Sequence, residues 1–256
     1  MTLVDKSGHP PKRRATVEDA VSQLSGFELL EATDTRIELQ NLIDAENVDV
    51  RKSVLRLRLV TLGMQRDAIA AYLDGDETLA RRVIERDGEA DKLFALVTRH
   101  FRRSLTDLQE VEKLGYGRED LFEYFYASRQ FERIADHAEK IARFAVDEDT
   151  PPPTDLEEEV TSLGTDARGV VDDAADVVLA DAEITVAHRA LAERDRLADA
   201  VESLNRDLYA RTDPRDAYVV GMVLDSVRRT AEYGANVAGI AIEQQTRIVE
   251  AEPKPL

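Results

Sequence analysis

Two kinds of hydrophobic pattern divide this chain. From about residue 49 onward, apolar residues recur at three, four and seven, the period of a helix with one buried face. Leu55, Leu59, Leu62, Ile69, Tyr72 and Leu73 mark a first long helix, closed by Asp74-Gly75-Asp76. A second runs from about Glu77 past Leu105 on the stripe Leu79, Val83, Ile84, Phe94, Val97 and Phe101, and breaks near Gly115-Tyr116-Gly117. A third spans about Arg118 to Val146. The acidic run from Asp147 and the prolines Pro151, Pro152 and Pro153 then exclude helix, because proline lacks the amide hydrogen and clashes with the preceding turn. Beyond this linker the pattern repeats over about Asp155–Leu179, Glu183–Arg211 and Arg215–Val249, with Thr212-Asp213-Pro214 separating the last two. Three helices, a linker and three helices form an internal duplication. Short connections between long amphipathic helices favour antiparallel three-helix bundles.

The first 48 residues read differently. Residues 1–15, with Gly8, Pro10, Pro11 and the basic cluster Lys12-Arg13-Arg14, look like a flexible tail. Thr16, Val17, Ala20, Val21 and Leu24 suggest a short amphipathic helix, with Thr16 and Asp19 as a capping pair and Gly26 as its stop. Phe27–Glu31 and Arg36–Gln40, turned by Thr33-Asp34-Thr35, carry the only strand signal. The expected architecture is all-α. Two tandem three-helix bundles at 49–146 and 154–249 are joined by a linker at 147–153. A small helix-plus-hairpin extension at 16–48 precedes them, and a tail at 250–256 follows.

Composition narrows the chemistry. The chain has 256 residues, 43% of them hydrophobic, enough for a sizeable core. Without cysteine it can build neither a disulfide, a thiol nucleophile nor an iron–sulfur cluster. The 52 acids outweigh 34 cations, and the net charge of −18 disfavours general affinity for nucleic acid or anionic lipid. Only 7 of the cations are lysines, and Lys254 alone lies beyond residue 140. An acid-rich, lysine-poor surface suits a halophilic cytosol, where salt screens ordinary charge repulsion; a genome that favours arginine codons gives the same bias. No apolar signal core occupies the first thirty residues and no stretch approaches eighteen apolar residues, so a soluble cytoplasmic protein is expected.

Several acids sit where carbon is expected. On the second helix Asp87 and Asp91 interrupt the stripe between Val83 and Phe94; Glu132 and Asp136 repeat the i, i+4 spacing on the third, and Asp195 and Asp199 do so between Leu191 and Val201. Like charges at this spacing repel, and a hard cation shared between helices would reverse the sign, since carboxylate oxygens suit magnesium, manganese, iron or calcium. With 52 acids in 256 positions, about ten such pairs arise by chance, so spacing alone leaves ligand pairs and solvated faces both open. No phosphate loop, nucleophile elbow or HExxH helix is present, and no convergent acid, base and anion site can be assembled, so no enzyme is expected. Among the histidines, His137 reads as a packing residue beside Asp136, His188 as a buried or half-buried helix residue, and His9 and His100 as having no company.

The segment Glu132-Arg133-Ile134-Ala135-Asp136-His137-Ala138-Glu139-Lys140-Ile141-Ala142 resembles the signature of the PhoU family, and Val83 to Asp91 resembles that family's Asp-x-x-x-Asp helix. Degenerate copies follow in the second half, at Glu193 to Asp199 and at Arg229 to Ala238, so the resemblance covers about residues 49–249. It implies two PhoU-like repeats carrying multinuclear metal clusters. The implied ligands are Asp87, Asp91, Glu132 and Asp136 in the first half, and Asp195, Asp199 and Glu232 in the second. The metal would be iron, zinc, manganese or magnesium. Arg228 stands where an acid is usual four before Glu232, which implies a weakened second site or a salt bridge in its place; Lys140 stands where asparagine is usual, which implies a cation near the first site. Arg13–Arg66 also resembles the segment that joins an AbrB-like DNA-binding domain to the helical repeats in archaeal PhoU-type regulators, with most of the AbrB-like domain missing.

The resemblance implies a negative regulator of phosphate uptake and intracellular phosphate homeostasis. Such a protein is a homodimeric, metal-binding adaptor on the ATPase of the phosphate ABC transporter, with a sensor kinase as a further partner. It would meet the membrane only through the transporter and would not bind nucleic acid directly. Two other readings stay open: a transcriptional regulator acting through the N-terminal remnant or a partner, and a metal-binding bundle with a storage or hydrolytic role.

Overall fold

Asp49 starts the helical part, its carboxylate accepting the Lys52 N–H at 3.0 Å, and helix α2 runs over Val50–Asp74. Gly75 ends it in the left-handed region (φ 65°), where a side chain would be strained, and donates its N–H back to Ala71. Asp76 then caps α3 (Glu77–Ser104) through the Leu79 N–H at 2.9 Å. A short helix, α4 (Leu108–Leu114), is capped by Asp107 and closed by Gly115 at φ 73°, and α5 spans Arg118–Asp147. The second half holds α6 (Glu157–Leu179), whose first turn carries three glutamates that complement the helix dipole, α7 (Ile184–Arg211) and α8 (Pro214–Ala251). Pro214 occupies the first helical position, where its missing N–H costs nothing. The computed structural model describes residues 2–22, 27–33, 35–41, 48–147, 156–211 and 214–251. The proline linker and the 250–256 tail therefore lie outside the described residues, apart from Asp147, Glu250 and Ala251.

Helices α2, α3 and α5 pack against one another, as do α6, α7 and α8, giving the two three-helix bundles. The bundles join along α5 against α8 and α2 against α6, so one hydrophobic core runs through both, from Leu57, Met64 and Phe131 to Leu179, Leu208 and Leu224. Arg58 crosses the α2–α6 seam to Asp172 at 2.6 Å and Asp176 at 2.7 Å, and Arg51 donates to the Leu179 carbonyl. Arg168 on α6 reaches Gln65 on α2 at 2.6 Å. Gly234 on α8 lies so close to α6 that an added Cβ would sit 3.0 Å from the Val171 backbone. Among the described residues no helix is long and apolar enough to cross a membrane.

The N-terminal extension differs from its expected form. Residues 1–15 are not simply a tail: Thr2–Val4 form strand β1, and helix α1 begins at Pro11 and runs to Ser22. Pro11, with its φ already preset, opens the helix five residues before Thr16, whose hydroxyl donates back to the Lys12 carbonyl at 2.9 Å instead of capping. The expected hairpin is present as β2 (Phe27–Ala32) and β3 (Arg36–Asn41), and β1 adds to the other side of β3, giving the antiparallel order β1-β3-β2. Three residues are too few to show an alternating pattern, which is why β1 leaves no trace in the sequence. Val21, Ile37 and Leu39 form a small core of their own, separate from that of the bundles. The Gly26 stop lies outside the described residues.

Candidate functional site

The acids of the first bundle meet where α3 lies along α5. On α3, Val83 and Ala90 are fully buried while Asp87 between them is half-buried and Asp91 is exposed. On α5, Phe131, Ile134, Ala135 and Ala138 face the core, which leaves Glu132 half-buried and Asp136 exposed along the adjoining edge. The apolar positions thus place the acids on the rim of the helix–helix contact, neither in the core nor on the outer face.

Electrostatics show that these side chains belong together. Burial, followed by the charges of Asp91, Glu139, Asp136 and Glu132, pushes the Asp87 carboxyl up to about 7. Asp91 is raised by burial and by Glu139. Asp136 is raised by burial and by Asp91, with Arg129 pulling the other way. Glu132 is raised by burial and by Asp136, although Arg129 donates to both its oxygens at 3.1 Å. Five acids therefore share one field with a single cation directly bound among the four ligand candidates. Among the described residues no three His, Asp or Glu side chains converge closely enough to hold a metal ion in this conformation. The donor set is nonetheless all oxygen, and its uncompensated charge fits a hard cation, which would relieve the repulsion that raises each of these carboxyls.

One member of this cluster is absent from the sequence expectation. Glu139 lies one turn beyond Asp136, repels Asp87, Asp91 and Asp136, and is held by Arg143 at 2.6 Å. Lys140, expected to bring a cation to this site, instead acts on His137. That histidine faces away from the acids, with its ring 5.7 Å from Tyr233 on α8, and burial pushes it down to about 4. It packs the seam between the bundles.

The second-half acids are arranged otherwise. Asp195 is 72% exposed and bound by its neighbour Arg194 at 2.7 Å, and Asp199 is exposed. Glu232 is bound by Arg228 at 2.6 Å and Arg229 at 2.9 Å, and Arg228 also holds Asp225 at 2.8 Å. Guanidinium groups here occupy the place a cation would take, and the residues do not fit a metal as the first-half acids do.

Two histidines correct the sequence reading. His188 is exposed on α7, not buried. His100 is fully buried and does have company: its Nδ1 lies 2.6 Å from Glu110, which is 1% exposed and also bound by Arg103 at 2.9 Å. Glu110 comes from α4, a helix too short for its periodicity to register, so the sequence offered no signal for the pair.

Comparison with known proteins supports the helical-bundle fold. Residues 54–145, the bundle that holds the acid cluster, match the PhoU domain model. Crystal structures of two bacterial proteins share the fold. PhoU from Pseudomonas aeruginosa superimposes with a TM-score of 0.69 at 24% identity, covering 79% of this chain and 98% of that one. The phosphate transport system regulatory protein PhoU from Streptococcus pneumoniae gives a TM-score of 0.64 at 16% identity, covering 77% and 94%. No curated protein matches the chain.

Proposed function

We infer that this PhoU-domain protein regulates phosphate transport. The observation that carries the reading is that the matched domain, residues 54–145, contains all four first-half acids and the like-charge field they share. In this reading the protein is a negative regulator of phosphate uptake in the cytoplasm, acting as an adaptor on the transporter's ATPase. It works as a homodimer, with a sensor kinase as a further partner.

Metal enters the reading in the first bundle alone. Asp87, Asp91, Glu132 and Asp136 would hold the ion, which supplies open coordination positions for an oxyanion when bound. The chain's own part is to keep these carboxylates on one rim, with Arg143 holding Glu139 back and Arg129 holding Glu132. Repulsion among them gives the rim one state when they share protons and another when a cation joins them. That difference is what a docked partner could sense.

The test is radiolabelled phosphate uptake in a strain deleted for the gene, in rich and poor phosphate. Uptake that stays high in rich medium, restored to control by the wild-type gene, is the expected result. Failure of Asp87→Ala with Asp136→Ala to restore control would place the signal in the acid cluster. Uptake unchanged by the deletion would refute the regulatory reading.

A further inference from the structure

Beyond the acid rim, α3 presents a second charged face. Asp91, Ala95, Arg99 and Arg102 succeed one another at four, four and three, and this face borders a cavity of about 730 Å3 that Ala20 of α1 also lines. Arg99, Arg102 and Arg103 line it, three guanidinium groups within the last two turns of the helix in a chain of net charge −18. Arg103 is anchored by the buried Glu110, which His100 holds in turn. Arg102 has no ion-pair partner among the described residues. The Thr98 hydroxyl, on the same face, is buried and has no hydrogen-bond partner among them. The helix dipole favours cations in this last turn, yet it accounts neither for the cavity nor for a buried hydroxyl lining it.

We propose that this cavity binds a phosphoryl group carried on an organic body of mononucleotide size. Guanidinium forks from consecutive turns match phosphate oxygens in pairs, and the Thr98 hydroxyl adds a donor. A free oxyanion would leave most of such a cavity unfilled, whereas its volume lies in the usual range for organic ligands. Ala20, Phe94 and Ala95 supply apolar wall for the organic body. Asp91 stands eight residues from Arg99, about 12 Å along the helix axis; this is within the reach of a mononucleotide, and its carboxylate would accept from a base amine or a sugar hydroxyl. The inference does not depend on the transport reading, since it concerns binding by the isolated chain.

Calorimetric titration of the purified full chain in a chelator, with AMP, adenosine and inorganic phosphate as separate probes, tests it. AMP should saturate at least tenfold more tightly than either adenosine or phosphate. Arg102→Glu, an exposed position, should weaken AMP at least fivefold, and the near-isosteric Thr98→Val gives an independent readout of the same loss. Arg81→Glu, on an exposed turn of the same helix, should leave binding unchanged. No saturation by millimolar AMP, AMP no tighter than phosphate, or equal weakening by Arg81→Glu would overturn the proposal.

Discussion

Replacing Asp87 by asparagine should stabilise the metal-free protein, a result opposite to that of most substitutions at half-buried polar positions. The Asp87 carboxyl is raised from 3.8 to about 7 by burial and by four neighbouring acids. Because the folded state holds this proton more tightly than the unfolded chain, ionisation works against folding. The penalty is absent below the unfolded value, grows as pH rises, and is complete above about 7. A shift of roughly three units corresponds to about 4 kcal/mol at most. Asp87 is only half-buried, so water and counter-ions screen the repulsion and about 1–2 kcal/mol should remain. For a chain of this size that raises Tm by about 2–8 °C. Asparagine keeps the shape and removes the charge. Thermal melts followed by circular dichroism, in chelator at low salt, would read the difference at pH 8 and again at pH 4, where it should fall to about a third. With saturating manganese the order should invert, since a ligand at a hundred times its Kd stabilises the wild type by about 2.7 kcal/mol and the variant lacks that site. A variant that is less stable than wild type at pH 8 in chelator, or equally displaced at both pH values, would refute the reasoning.

Metal titrations should separate the two halves: Asp136→Asn abolishes manganese binding seen by calorimetry, whereas Asp199→Asn and Glu232→Gln leave it unchanged, because arginines already neutralise Glu232. Gly234→Ala should cost about 1–3 kcal/mol in urea unfolding, since its Cβ meets the Val171 backbone, which cannot turn aside. Gly88→Ala, with open space around it on an exposed helical turn, should instead gain about 0.5–1 kcal/mol in the same assay. Arg58→Ala should cost about 1–3 kcal/mol of unfolding free energy by removing the clamp on Asp172 and Asp176 at the seam between bundles.

Most of the helical fold was legible in the residues themselves. A stripe of apolar side chains at the helical period can be buried only by other stripes, and Asp49, Gly75, Asp76 and Gly115 mark helix ends through chemistry that is local to each end. Asp87, Asp91, Glu132 and Asp136 were legible as two i, i+4 pairs, but the pattern put them on an apolar face and packing puts them on its rim, with Asp91 and Asp136 exposed. Short elements were not. Strand β1 and helix α4 are each too brief for a period, and with α4 went the buried pair of Glu110 and His100. What joins elements far apart in the chain was settled by packing alone. The rotation of α5 between its neighbours turned Glu139 toward the acids of α3 and His137 toward Tyr233 of α8, although the two lie within one turn of each other. The same packing left Asp87 among the acids of α5, whereas Glu232 met Arg228 and Arg229 on its own helix, as its spacing from Arg228 had implied. Spacing along a helix says which residues share a face, and only the approach of a second helix decides whether that face meets a cation, a carboxylate or water.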